Sequence, residues 1–239
     1  GTMRIRCAWE HNGDDTLLYA LDFPGAYARG AGRVPAVEKM PEELTSYLRW
    51  IGAECPNTSF EIEIVQEKAS GLQIADADSD IIFETERIPL TKEEYQRLKL
   101  LALKSAEDFY ALYCSVPDKD ASCLPQRNTF YGAVPRTAQE MYQHTKNVNS
   151  YYFGEIGVDA DNEGTIIHCR QRGFALLENV PGFLSAPAVT GSYDELWSVR
   201  KVLRRFLWHD RIHAKAMYRM AVKTFGENCL KNPFGFSSP

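Results

Sequence analysis

The segment that most restricts the fold is the run from Ser192 to Gly226, SYDELWSVRKVLRRFLWHDRIHAKAMYRMAVKTFG. No Gly or Pro interrupts it before Gly226, and its apolar residues recur every three or four positions. That pattern predicts one long helix with a buried face. Ser192 with Glu195 three residues on reads as its cap, and Gly226 as its stop. On a heptad, Val199, Val202, Phe206, His209, His213, Ala216 and Met220 share one stripe. Two imidazoles thus stand where a bundle helix wants aliphatic side chains. Burying them without partners is costly, so partners are expected.

Three further helices are predicted after Pro89. One starts at Thr91, boxed by Glu94, and runs through Leu112. A second starts at Thr137, boxed by Glu140, and stops at Gly157. A third spans residues 165–180, interrupted by Gly173 and closed by Pro181-Gly182. Four helices with no strand pattern between them predict an all-α up-down four-helix bundle over residues 89–239.

Residues 3–88 read differently. MRIRCAWE and TLLYALDF are short β-type runs around the turn cluster HNGDD. A Gly-punctuated stretch, FPGAYARGAG, follows. Leu44, Leu48 and Ile51 then mark a helix face, with Pro41 expected in the first turn. TSFEIEIVQE alternates as a half-buried strand, and DIIFETE is a further strand candidate. The fold class expected for the chain is therefore a small α+β domain followed by the helical bundle.

Charge divides the chain in the same way. Residues 1–90 hold 8 Lys+Arg against 16 Asp+Glu, and residues 91–239 hold 19 against 16. The acidic first part argues against nucleic acid as its partner. From Trp197 to Lys223 there are eight basic residues and one acidic one. They can pair with the acidic part, or draw an anionic substrate or thiol to a site; Arg200 and Arg204 are the candidates for the second role. Lys201 and Arg211 are read as outer positions. No apolar run approaches the roughly 18 residues of a membrane span, and no basic-then-apolar leader opens the chain. Six scattered cysteines without a CxxC pair read as reduced thiols. The expected localisation is cytoplasmic.

The second predicted helix carries Met141, His144, Val148 and Tyr151 on its apolar stripe, so His144 also faces inward. Three neutral imidazoles, two of them four residues apart on one helix, suit a Zn²⁺, Ni²⁺ or Fe²⁺ ion with open positions left for chemistry. His168 is a candidate fourth ligand, and His11 reads as surface. HDRIH differs from the HExxH zinc motif by Asp210, and Glu227 is the one downstream candidate for a third ligand. Asp210 is read instead as a partner for Arg211 or a neighbouring helix. The DADSDIIFETE run fails as a calcium loop at Ile81 and Arg87, and Cys169 is poorly placed for activation by His168.

His144 with Tyr151-Tyr152, and Trp208-His209-Asp210 with His213, resemble the motifs of the DinB-like bundles, a group that includes YfiT-type metal-dependent hydrolases and thiol-dependent transferases. The resemblance covers residues 91–225. It implies a divalent metal held by His144, His209 and His213, acting with water or a small thiol on a small-molecule substrate, in a chain that can form a homodimer. Pro24-Gly25 and Gly30, ahead of a Glu- and Leu-rich helix, resemble the HicB-like small domains over residues 3–70. Other classes of function stay open beside the enzyme: a non-catalytic metal-binding module, or an interaction protein whose first domain binds a partner.

Overall fold

The computed structural model describes residues 1–54, 57–130 and 132–239. Strands β1 (Thr2–Asn12), β2 (Asp15–Ala20) and β3 (Tyr27–Ala31) are followed by helix α1 (Arg33–Trp50) and strand β4 (Ser59–Ala69). They form a mixed sheet of order β3-β2-β1-β4, in which β1 is antiparallel to β2 and parallel to β4. The α+β character expected of residues 3–88 is present. Pro35, not Pro41, lies in the first turn of α1, and Pro41 sits inside the helix. DIIFETE is not a strand: its last residues form a short 3-10 helix, Glu84–Arg87. Buried Glu10 accepts the Asp80 and Ile81 amide N–H groups and the Ser79 and Tyr19 hydroxyls, and so fastens this segment to the sheet.

The remaining elements are α2 (Lys92–Ser115), the short strands β5 (Asn128–Thr129) and β6 (Gly132–Ala133), α3 (Ala138–Lys146), α4 (Val148–Glu155), α5 (Ile166–Glu178), the short strands β7 (Val189–Thr190) and β8 (Leu196–Trp197), and α6 (Val199–Phe225). The all-α up-down four-helix bundle expected here is not what forms. The second predicted helix is two, α3 and α4, parted at Asn147. Asn162 stabilises the break by donating to the Asn147 carbonyl and accepting the Ser150 N–H. The third is not interrupted: α5 runs through Gly173, whose missing Cβ makes room for the Phe153 ring. Strand ribbons β5–β6 and β7–β8 stand between helices. The Ser192–Glu195 cap is also displaced, because α6 begins at Val199 with Ser198 accepting the Lys201 N–H.

The deeper reason is the surroundings of α6. A bundle helix is covered on one side, whereas α6 is buried nearly all round from Val199 to Ala214. Side chains alternate across a strand, so the sheet has two apolar faces. Ile5, Cys7 and Leu18 share a core with Met40 and Leu44 of α1, and this core continues into Phe109, Leu207 and Met217. Ala8, Leu17 and Tyr19 pack with Phe83 and with Trp208 and Ile212 of α6. The sheet thus covers a side of α6 that a free-standing bundle would leave to water. Gly25 permits the close approach: a Cβ there would lie 2.8 Å from Leu207 Cβ, and its φ is 97°. Val202, Leu203 and Phe206 bury the opposite side of α6 against Tyr152, Phe153 and Phe174.

Burial all round puts charged residues of α6 in the interior, where each needs a counter-charge. Arg170 pairs with Asp210, Arg204 with Glu86, Arg211 with Glu43, and both Lys201 and Arg205 with Glu195. Glu43 and Glu86 come from the acidic first part, so pairing between the two parts is real. Lys201 and Arg211, read as outer positions, are buried. Lys201 donates to the Asp80 and Leu196 carbonyls, and burial pushes its ammonium down to about 8. Among the described residues the five cysteines Cys7, Cys114, Cys123, Cys169 and Cys229 are free thiols; Cys55 lies outside them. No helix among the described residues is long and apolar enough to cross a membrane.

Candidate metal centre

Two helices position the three histidines. His209 and His213 are one turn apart on α6, whose unbroken length follows from the Ser198 cap and the Gly226 stop. His144 lies in the last turn of α3, whose start is fixed by Thr137 accepting the Glu140 N–H. Thr145, beside it, is fully buried and donates to the Met141 carbonyl. The break at Asn147 lets α3 end against α6 while α4 turns toward α5.

The structure brings His144, His209 and His213 together. Their ligand atoms all lie within 4.8 Å of one another. Ring centroids are 4.3 Å apart for His209 and His213, 4.6 Å for His144 and His213, and 5.2 Å for His144 and His209. Imidazole nitrogens around a tetrahedral zinc ion stand about 3.3 Å apart, given Zn–N bonds of about 2.0–2.1 Å. The ligand atoms would draw together by up to about 1.5 Å to share one such ion. His209 is 7% exposed, and its Nδ1 is buried with no hydrogen-bond partner. His213 is half-buried and His144 is exposed, so the cluster opens on the His144 side. The His209 ring is oriented by packing against Tyr152, at 5.9 Å, and Trp208, at 6.4 Å.

Electrostatics leave the rings neutral. Burial holds His209 well below the ordinary imidazole range, with His213, His144, Arg205 and Arg170 adding to the effect. Burial first, then the His144 and Arg29 charges, push His213 down to about 3. His144, on the open side, is lowered too, by the desolvation its ring meets against the other two. A neutral imidazole keeps the lone pair that a metal needs. The cations nearest His209 are themselves compensated, Arg170 by Asp210 and Arg205 by Glu195, which limits their repulsion of a metal ion. Three histidines within reach of one another, and neutral, can therefore bind a metal.

The other sequence candidates lie elsewhere. Arg200 donates to the Ile88 and Pro89 carbonyls and to Glu94, and Arg204 pairs with Glu86 and the Ile81 carbonyl. These bonds tie both side chains to the first part of the chain, while Arg204 Nη1 is left without a hydrogen-bond partner. His168 is exposed on α5 and is not part of the cluster. His11 stacks on Trp9 and meets Glu67 at 2.8 Å, so it is more than plain surface. Asp210 is fully buried and takes Arg170 in a two-point pair, at 2.5 and 2.9 Å, plus the Ser105 hydroxyl. Its partner is thus a neighbouring helix rather than Arg211. Glu227 accepts the Ser238 hydroxyl.

Sequence reasoning missed Arg170, Arg205 and Glu195 as neighbours of the centre. Arg170 carried a readable signal. It falls at helical spacing with Ile166, Gly173, Phe174 and Leu177, so a charge stood on the buried stripe of α5 just as the histidines stood on that of α6. Arg205 donates to the Tyr152 hydroxyl as well as to Glu195. Comparison of the chain with known protein families, with curated proteins and with solved structures finds no match.

Proposed function

We propose that His144, His209 and His213 hold one divalent metal ion and that this ion serves hydrolysis or thiol-dependent transfer on a small molecule. The observation that carries the proposal is the convergence of three imidazoles whose ligand atoms all lie within 4.8 Å of one another, one of them, His209, buried and with an unpartnered Nδ1. Buried polar atoms are normally satisfied, and a shared ion satisfies all three rings at once. Among the described residues no Cys, Asp, Glu or fourth His joins the group. Structural zinc sites close their shell with four protein ligands, whereas catalytic ones keep three and an open position.

Such an ion supplies Lewis acidity and a water or thiol made acidic enough to attack at neutral pH. The chain's own residues do the rest. His144 and His213 leave one side open to solvent, the route by which a substrate reaches the centre. Tyr152 and Trp208 pack against the buried His209 ring and exclude water from that side. The choice of hydrolysis or thiol transfer, and of zinc, nickel or iron, rests on the donor set and on the motif resemblance of His144, Tyr151-Tyr152, Trp208-His209-Asp210 and His213.

The test is cobalt substitution followed by an activity screen. Co²⁺ added to metal-free protein is expected to give the intense visible bands of a four- or five-coordinate nitrogen-ligated site, and His213→Ala to abolish them. Bands that shift when a small thiol is added favour the transferase reading. Weak six-coordinate bands, identical in the variant, would dispose of the site.

A further inference from the structure

A cleft whose lining includes none of the three histidines lies beside the His213 end of the cluster, with Arg29 in its wall. It has a volume of about 940 Å³ and runs between β3, α1 and the C-terminal half of α6, closed on one side by residues 235–239. Five cations line it: Arg29 on β3, Lys39 and Arg49 on α1, and Lys215 and Arg219 on α6. Its side-chain carboxylates are Glu42 and Glu43. Glu43 is already taken, accepting both arms of Arg211 at 3.0 Å and the Tyr27 N–H at 3.0 Å. Glu42 accepts the Ser237 hydroxyl.

The two halves of α6 treat their charges in opposite ways. Arg200, Lys201, Arg204, Arg205 and Arg211 each pair with a carboxylate. Lys215 and Arg219, one turn apart on the cleft wall, pair with none among the described residues; nor do Arg29, Lys39 or Arg49, and Arg29 donates only to the Ala75 carbonyl. Unpaired cations converging from three elements on one concavity concentrate positive potential inside it. With no carboxylate partner inside the chain, these charges are available to an anion from solution.

We propose that this cleft binds a phosphorylated small molecule carrying at least two negative charges. Three of the five cations are arginines, one from each of β3, α1 and α6, and their planar forks fit phosphate oxygens. A phosphate group offers oxygens in several directions, whereas a planar carboxylate satisfies one fork. The volume suits a ligand of nucleotide size.

The test is calorimetric titration of the full chain, stripped of metal with EDTA and desalted, with pyrophosphate, ATP and citrate as separate probes. Saturable binding of pyrophosphate or ATP is expected, weakening with added KCl. Arg49→Gln and Arg219→Gln each remove a charged hydrogen bond at an exposed position, and each should raise Kd about tenfold. His209→Ala should leave the affinity unchanged, since no histidine lines the cleft. Absence of saturation by both phosphates overturns the proposal, as does equal affinity in the arginine variants. Tighter binding of citrate than of pyrophosphate overturns the phosphate assignment. Binding lost in His209→Ala but kept in Arg219→Gln would move the anion to the histidine centre.

Discussion

Asp210→Ala is expected to be among the most damaging single substitutions in the chain. Asp210 is 0% and Arg170 1% exposed, and the two meet through two contacts, at 2.5 and 2.9 Å. Removing the carboxylate strands a guanidinium whose remaining acceptor is the Ala102 carbonyl and whose face lies over the Phe206 ring. It also takes the acceptor from the Ser105 hydroxyl. Breaking a buried pair from one side costs about 3–5 kcal/mol, against a total stability of about 5–15 kcal/mol for a folded protein. The urea midpoint should fall by about 1 M or more with little change in slope. Replacing both partners by apolar residues, Arg170→Met with Asp210→Leu, should recover most of the loss, because neither charge is then stranded. An Asp210→Ala protein within about 1 kcal/mol of the parent, or a double variant no better than the single one, would show that a stranded Arg170 charge is not what the pair prevents.

Other substitutions and conditions test different parts of the structure. Glu43→Gln leaves Arg211, 1% exposed, with a neutral partner and should lower the melting temperature, whereas Arg4→Ala, at an exposed pair with Glu63, should leave it unchanged. Gly173→Ala would stabilise an ordinary helix interior by about 1 kcal/mol. Here its Cβ would fall 2.1 Å from the buried Phe153 ring, so a destabilisation of about 1–3 kcal/mol is expected by urea unfolding. His213 has a folded-state pKa of about 3 against an ordinary value of 6.5, and His209 is also depressed. Below about pH 6.5 the unfolded chain takes protons that the folded one refuses. The stability these neutral rings supply is therefore full above that pH and is lost as pH falls toward the folded values, by up to about 1.4 kcal/mol per pH unit for each ring. Metal-free His213→Ala should show a shallower acid limb in urea midpoints measured between pH 7 and 5, and an unchanged slope would contradict this.

Much of the site was legible because charge or imidazole on an apolar helical stripe is conspicuous. His144, His209 and His213 each stood on such a stripe, and the structure brings them together. The caps at Thr91 and Thr137 and the stop at Gly226 were also readable, since each is a local interaction. The architecture of residues 89–239 was not. Periodicity reports that a helix has a buried face but not what covers it, and α6 is covered by a sheet as well as by helices. Nor does it report the break at Asn147, which depends on the side chain of Asn162 reaching back across the chain. The carboxylate partners of Arg200 and Arg204 were not legible either, because Glu94 and Glu86 lie over a hundred residues away in sequence.

Whether His144, His209 and His213 hold one ion is read from metal content by inductively coupled plasma mass spectrometry, after incubation with Zn²⁺, Ni²⁺ or Fe²⁺ and desalting. The native chain is compared with His144→Ala, His209→Ala and His213→Ala, each checked for folding by circular dichroism. About one ion per native chain, lost or sharply reduced in all three folded variants, is the expected result. A native chain that retains no ion, or variants that retain as much as the native chain, would contradict the account.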